Sequence, residues 1–186
     1  MKEIVAETVE KLKAGKTILY PTDTIWGLGC DALNPDAIQA VFLLKERPKN
    51  KSFIVLVDSV PMLERYIKEI PEVCYDIIDL SDKPTTIIYD NPIQLPASLL
   101  ADDGSIGIRV TNDPFCKAVI RQLKRPIVST SANISGAPNA TCFDEIDPKI
   151  IQNVGYIAKW RTKEKMTTPS AIIKIDSSAN IHIIRK

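Results

Sequence analysis

The sequence predicts an α/β fold, a sheet covered by helices packed on its faces. Strand-like and helix-like segments alternate along the chain, the pattern of that layer architecture. Apolar residues at 45% and charged residues at 25%, with 24 Lys and Arg against 23 Asp and Glu, describe a well-packed globular protein rather than a disordered one. A length of 186 residues suits one ordinary core, so a single domain over 1–186 is expected.

Ile4, Val5, Thr8, Val9 and Leu12 recur at helical spacing, and Gly15 offers a stop. Thr17–Tyr20 reads as a short strand that ends at Pro21, and Pro21–Gly29 reads as a working loop, too polar and glycine-bearing to be core. Asn34 and Pro35 form an N-cap and first-turn pair for a helix through Leu44, which leaves Lys45 and Arg47 at its C-terminal end, where cations suit the helix dipole. Phe53–Val57 is a continuous apolar run and reads as a central strand, after which Pro61 and Pro71 start two helices. Thr85–Tyr89 and Ile106–Val110 supply further strands, and Asp113-Pro114 caps a helix reaching about Leu123. Ile127-Val128 opens a strand that runs into the hydroxyl-rich turn Ser129–Gly136, and Ala171–Ile175 and Ile181–Ile184 close the chain.

Several function classes drop out. A net charge of +1 gives no global field for a polyanion, so nucleotide or nucleic-acid binding would need a local cluster of positive charge. Met1-Lys2-Glu3-Ile4-Val5 opens without a signal-peptide core, and no segment approaches the roughly 20 apolar residues that span a bilayer. A cytoplasmic location with no membrane partner is expected. Cys30, Cys74, Cys116 and Cys142 are scattered without a C-x-x-C pair and read as buried free thiols. With His182 the sole histidine, a Ser-His-Asp triad and an H-E-x-x-H site are both discounted, and no protein-held metal is expected. Gly15-Lys16-Thr17 matches the end of a P-loop, but Glu10 stands where the first glycine belongs, and a helix precedes the triplet where a strand should. Gly27-Leu28-Gly29 lacks the third glycine of a dinucleotide fingerprint and reads as a tight turn.

What remains is a constellation on three segments: Lys45, Arg47 and Lys51 after one helix, Arg109 on a strand, and Ser131 with Asn133 in the hydroxyl-rich turn. Strand ends of an open α/β sheet bring such loops into one crevice, where cations and hydroxyls receive a phosphorylated ligand. Arg109 stands out because a guanidinium among aliphatic residues needs an anionic partner, from the protein or from a substrate carboxylate.

At these residues the sequence resembles the YrdC family, whose members include the threonylcarbamoyl-AMP synthases. The likeness spans nearly the whole chain and rests on Tyr20–Gly29, Lys45–Pro48 with Lys51, Ser105–Val110, Ser129–Gly136 and Thr168–Ile173, in that order. It implies an open, twisted, mixed sheet with helices around a concave, positively lined face. It also implies an activity that joins L-threonine, bicarbonate and ATP, with Mg2+, into threonylcarbamoyl-adenylate and pyrophosphate. A separate threonylcarbamoyl transferase complex would carry the group to transfer RNA. By the same resemblance Lys45 and Arg47 are catalytic and grip ATP with Ser131 and Asn133, and Lys51, Ser105, Asn139 and Arg185 are further nucleotide contacts. Thr22, Arg109 and Ser129 form the threonine site. Some relatives carry histidine in that site where Leu56 stands here. As in shorter members of the family, no further C-terminal domain is expected after Arg185.

The rival reading is a non-adenylating paralogue in ribosome or transfer RNA maturation, with transfer RNA or double-stranded RNA as its partner. Retention of Lys45, Arg47, Ser131 and Asn133 favours the enzyme. A carbamoyl-transfer module of the hydrogenase-maturation type would bring acylphosphatase-like and zinc-binding segments, which this sequence lacks.

Overall fold

The computed structural model describes residues 1–48, 52–175 and 180–186. Its first helix, α1 (Lys2–Lys13), buries Val5, Thr8, Val9 and Leu12 as the spacing predicts. It stops where glycine relieves the backbone: Gly15 takes φ +72°, its N–H bonds Leu12 O and the next N–H bonds Lys11 O, the Schellman arrangement that caps the last carbonyls. Gly15-Lys16-Thr17 is thus a helix stop leading into β1 (Ile18–Tyr20), with no P-loop geometry.

The main departure from the sequence reading comes next. Gly27–Gly29 is not a turn but strand β2, antiparallel to β1, and Trp26 and Leu28 are core residues. The glycines are there for close approach rather than for turning. Tyr20 reaches across this strand to bond Val128 O at 3.2 Å, and a Cβ on Gly29 would collide with that same carbonyl oxygen, while one on Gly27 would press the Tyr20 ring at 3.0 Å. Backbone cannot step aside as a flexible side chain can. Gly29→Ala should therefore cost about 3 kcal/mol, seen as a lowered urea midpoint with an unchanged slope.

Helix α2 (Pro35–Leu44) starts as predicted, with the Asn34 side chain accepting from Ala37 N at 3.1 Å. Strand β3 (Ile54–Val57) is the expected apolar run, and the prolines open α3 (Val60–Leu63) and α4 (Glu72–Leu80). β4 (Thr85–Tyr89) and β5 (Ile106–Val110) follow. In α5 (Pro114–Leu123) the Asp113 side chain accepts from Cys116 N at 2.8 Å, so the predicted cap is made.

β6 (Ile127–Ser131) runs three residues past its predicted apolar start. The hydroxyl residues are strand rather than turn because they have ladder partners on both sides: Ser131 and Thr130 face Gly27 and Leu28, and Ser129 faces Ile54. Helix α6 (Pro148–Asn153) and the short strand β7 (Tyr156–Ile157) carry too few apolar residues to show a period in sequence. β8 (Ala171–Ile175) and β9 (Ile181–Arg185) finish the sheet.

The nine strands lie in the order β7-β1-β2-β6-β3-β5-β4-β8-β9. The β1/β7, β3/β5 and β4/β8 pairs are parallel and the others antiparallel, so the sheet is mixed and open. Strand alternation sorts its central residues onto two faces. Val55, Ile87, Ile108 and Ile173 point to one face and are buried in the core. Ile54, Thr86, Gly107, Arg109 and Ile172 point to the other, where a cavity opens. Helices α1 and α5 pack on each other. Three cysteines are buried and Cys142 half-buried, all as free thiols. Among the described residues no helix is long and apolar enough to cross a membrane.

Candidate active site

The cavity measures about 370 Å³ and is walled by the exposed ends of β2, β3, β4, β5, β6 and β8, with β9 along one edge. Its described lining carries Arg47, Arg109 and Arg185 and no carboxylate. Hydroxyls of Thr24, Ser105, Ser129, Thr130, Ser131 and Ser170 alternate with apolar wall from Ile54, Ile88 and Ile172. Cations and hydroxyl donors around an apolar floor suit an anionic ligand with a hydrophobic or planar part.

Of the three arginines only Arg109 is buried, at 4% exposure. β5 holds it directly opposite the fully buried Leu56 in the parallel ladder, so its neighbour on β3 is apolar. Its NH2 sits 3.2 Å from Asp23 Oδ1 and its NH1 donates to Thr24 Oγ1 at 3.4 Å. Its Nε has no hydrogen-bond partner among the described residues. A buried guanidinium with spare donors is a receptor for a carboxylate.

Arg47 donates to Ser52 O at 2.8 Å and lies over the Phe53 ring, 5.2 Å from its centre. Arg185 is anchored on β8's entry, donating from Nε to Ser170 O at 2.9 Å, and Ser170 Oγ lies 2.9 Å from Thr86 Oγ1. Partial burial, and then the neighbouring Arg109, lower its pKa. Arg185 and Arg109 line the same cavity. Ser105 is turned toward Asp103, donating to its Oδ1 at 2.6 Å.

Lys45, expected at the C-terminal end of a helix and among the ATP contacts, is the C-cap of α2 and 1% exposed. Its Nζ donates to Ser131 O, to Asn133 O at 2.6 Å and to Asn133 Oδ1 at 3.2 Å. These three acceptors match the three hydrogens of an ammonium. Burial first, and the charge of Arg47 second, push its pKa down to about 7. Asn133 also accepts from Ser131 Oγ and donates to Ala137 O. Lys45 and Asn133 therefore clamp the end of β6 from behind and do not line the cavity, whereas Ser131 does.

Sequence reasoning placed Thr22 in the site, but its hydroxyl is spent locally, donating to Ile25 O at 2.7 Å and accepting from Thr24 N at 3.0 Å. Thr24 takes the wall position instead. Ser129, Ser131, Ser105, Asn139 and Arg185 line the cavity with Arg47 and Arg109. Lys51 lies outside the described residues. Asp23, Thr24, Thr86 and Ser170 went unassigned in the sequence, although Asp23-Thr24 and Ser170 sit inside segments that carried the resemblance.

A family model described as "Telomere recombination" (Sua5_yciO_yrdC) matches residues 10–186. The chain belongs to the Sua5/YciO/YrdC family. Within this family it is 32% identical over 155 residues to the threonylcarbamoyl-AMP synthase of Pseudoalteromonas translucida, covering 82% of this chain and 83% of that protein. It is 34% identical over 184 residues to the putative threonylcarbamoyl-AMP synthase of Methanocaldococcus jannaschii, covering 98% and 85%. Among solved structures it superposes on P. abyssi Sua5 complexed with L-threonine with a TM-score of 0.81 at 25% identity, over 91% of this chain and 50% of that one. The chain thus spans about half the length of that Sua5 chain. E. coli YciO matches with a TM-score of 0.84 at 22% identity over 100% of this chain and 90% of its own, a likeness of fold. The mixed open sheet of the Sua5/YciO/YrdC family is the one observed here.

Proposed function

We propose that this chain is an L-threonylcarbamoyladenylate synthase. It would join L-threonine, bicarbonate and ATP into threonylcarbamoyl-AMP and pyrophosphate, for transfer by a separate complex to transfer RNA. The observation that carries the proposal is the buried Arg109, its Nε without a hydrogen-bond partner among the described residues, on a hydroxyl-lined cavity whose described lining holds two further arginines and no carboxylate.

Arg109 pairs with the amino-acid carboxylate, and the hydroxyls of Ser129 and Thr24 on the same wall meet a small hydroxylated side chain. No carboxylate among the described wall residues competes for the amine, which stays free to form a carbamate. The amine either adds to carbon dioxide with release of a proton to solvent or condenses with bicarbonate with loss of water. A carbamate oxygen then attacks the α-phosphorus, the bond from phosphorus to the bridging oxygen breaks, and pyrophosphate leaves. Arg47 and Arg185 offset charge on the phosphates. Lys45 contributes by fixing Ser131, and catalysis rests on positioning and electrostatics rather than on a protein nucleophile.

The resemblance brings Mg2+ with ATP, but the described lining offers it no carboxylate, and no group of three or more His, Cys, Asp or Glu among the described residues could hold a metal ion. The residues present do not make a protein-held magnesium site.

The test is pyrophosphate release from ATP with each substrate omitted in turn. Release that requires L-threonine and bicarbonate together is the expected result. A folded protein that releases none with threonine, yet binds double-stranded RNA with a steep salt dependence, would replace the proposal with the non-adenylating reading.

A further inference from the structure

Arg109 stands between two cavities. It lines the first, while Asp23, its ion-pair partner, lines a second of about 310 Å³ on the opposite face of β4 and β5, beside Ile87, Val110 and Asn112. Asp23 is absent from the lining of the first cavity. It therefore meets the guanidinium from behind.

We infer that Asp23 is the positioning residue of the amino-acid site, holding the Arg109 guanidinium in the plane that presents its remaining N–H groups to a carboxylate. The inference rests on the reading of the first cavity as an amino-acid site. Arg109 NH1 spends one hydrogen on Thr24, and NH2 is held by the charge of Asp23 at 3.2 Å, whose Oδ1 makes no hydrogen bond among the described residues, which leaves the Nε–H and the other terminal hydrogens for a ligand. Planar, bidentate recognition needs that plane fixed before the ligand arrives. A lone buried arginine would instead give up side-chain entropy when the ligand bound. The 22–24 loop keeps its place by other means, since Arg161 donates to Thr22 O at 3.3 Å and is paired with Asp113.

Charge and orientation make opposite forecasts for this residue. As a negative charge near the ligand's carboxylate, Asp23 weakens binding, so removing the charge should tighten it. As the group that orients Arg109, it strengthens binding, so removal should weaken it.

The experiment is Asp23→Asn, of the same shape and size, in the pyrophosphate-release assay and by 15N NMR of the arginine side chains. Expected are a KM for L-threonine raised about tenfold, kcat within about twofold and an unchanged KM for ATP. The KM effect should vanish when Asp23→Asn is added to Arg109→Lys. Asn112→Ala, on the same second cavity, should leave the kinetics unchanged. A threonine KM that falls or stays level, an equal rise in the KM for ATP, or a full further loss in the Arg109→Lys background each overturns the inference. If the wild type releases no pyrophosphate, it is the functional reading that fails. The NMR arm then decides the positioning role without substrate: separate terminal N–H signals for Arg109, assigned with Arg109→Lys, should merge in Asp23→Asn at the same temperature. Identical signals in the two proteins overturn it.

Discussion

Arg109→Ala should lower kcat/KM for threonine-dependent pyrophosphate release by roughly 150-fold, the equivalent of about 3 kcal/mol. The loss should fall mainly on the KM for L-threonine. Two effects add in this variant. The ligand carboxylate loses its buried, charge-assisted partner, and Asp23, at 20% side-chain exposure, loses the cation 3.2 Å away. Arg109→Lys should recover little of the binding, because a point charge on a flexible stem cannot meet Asp23, Thr24 and a carboxylate in one plane. Steady-state kinetics with threonine varied at saturating ATP and bicarbonate measure this directly. A variant with an unaltered threonine KM would remove Arg109 from the amino-acid site.

Lys45→Met is the second large effect, and here stability and activity should fall together. The substitution keeps the length of the side chain but takes the ammonium away from Ser131 O, Asn133 O and Asn133 Oδ1, of which Ser131 O keeps only the Asn133 N–H and Asn133 Oδ1 only the Ser131 hydroxyl. Losing three hydrogen bonds from one part-buried donor should cost about 3 kcal/mol in all, since the loop relaxes in part. In a chain of this size that lowers the melting temperature by about 6–12 °C. Activity should drop as well because the strand end that presents Ser131 to the cavity is no longer clamped. The pH dependence carries a definite sign. With the folded pKa pushed down to about 7 and the unfolded one near 10.5, the unfolded chain holds a proton that the folded chain has released between those values. Stability attributable to Lys45 therefore rises with pH across that window, at most about 1.4 kcal/mol per unit. Lys45→Met should flatten the rise. Urea unfolding of both proteins at pH 7 and pH 9 reads the difference.

How much of this was legible in the sequence depended on whether the signal was local. Asn34-Pro35 and Asp113-Pro114 announced α2 and α5 because an N-cap is a bond between residues three positions apart. The apolar runs of β3, β5 and β8 announced themselves by composition. Gly27–Gly29 misled, because the same glycines that permit a turn also permit a strand to lie against Tyr20 and the Val128 carbonyl, and only distant residues reveal which. Ser129–Ser131 misled for a similar reason: hydroxyl residues favour turns unless partners on both sides draw them into a ladder.

The sequence by itself determined the alternation of helices and strands, the caps, the family resemblance and the presence of an arginine among aliphatic residues that demanded an anionic partner. Only the tertiary structure decided that Lys45 is buried and braces the site from behind, that Thr24 rather than Thr22 reaches the wall, and that Asp23 meets Arg109 from the far face of the sheet. Periodicity and capping are written in neighbouring residues. Burial, ion pairing and the side of a sheet from which a charge approaches belong to residues about 85 positions apart, as Thr24 and Arg109 are, and exist only once the strands have been laid in order.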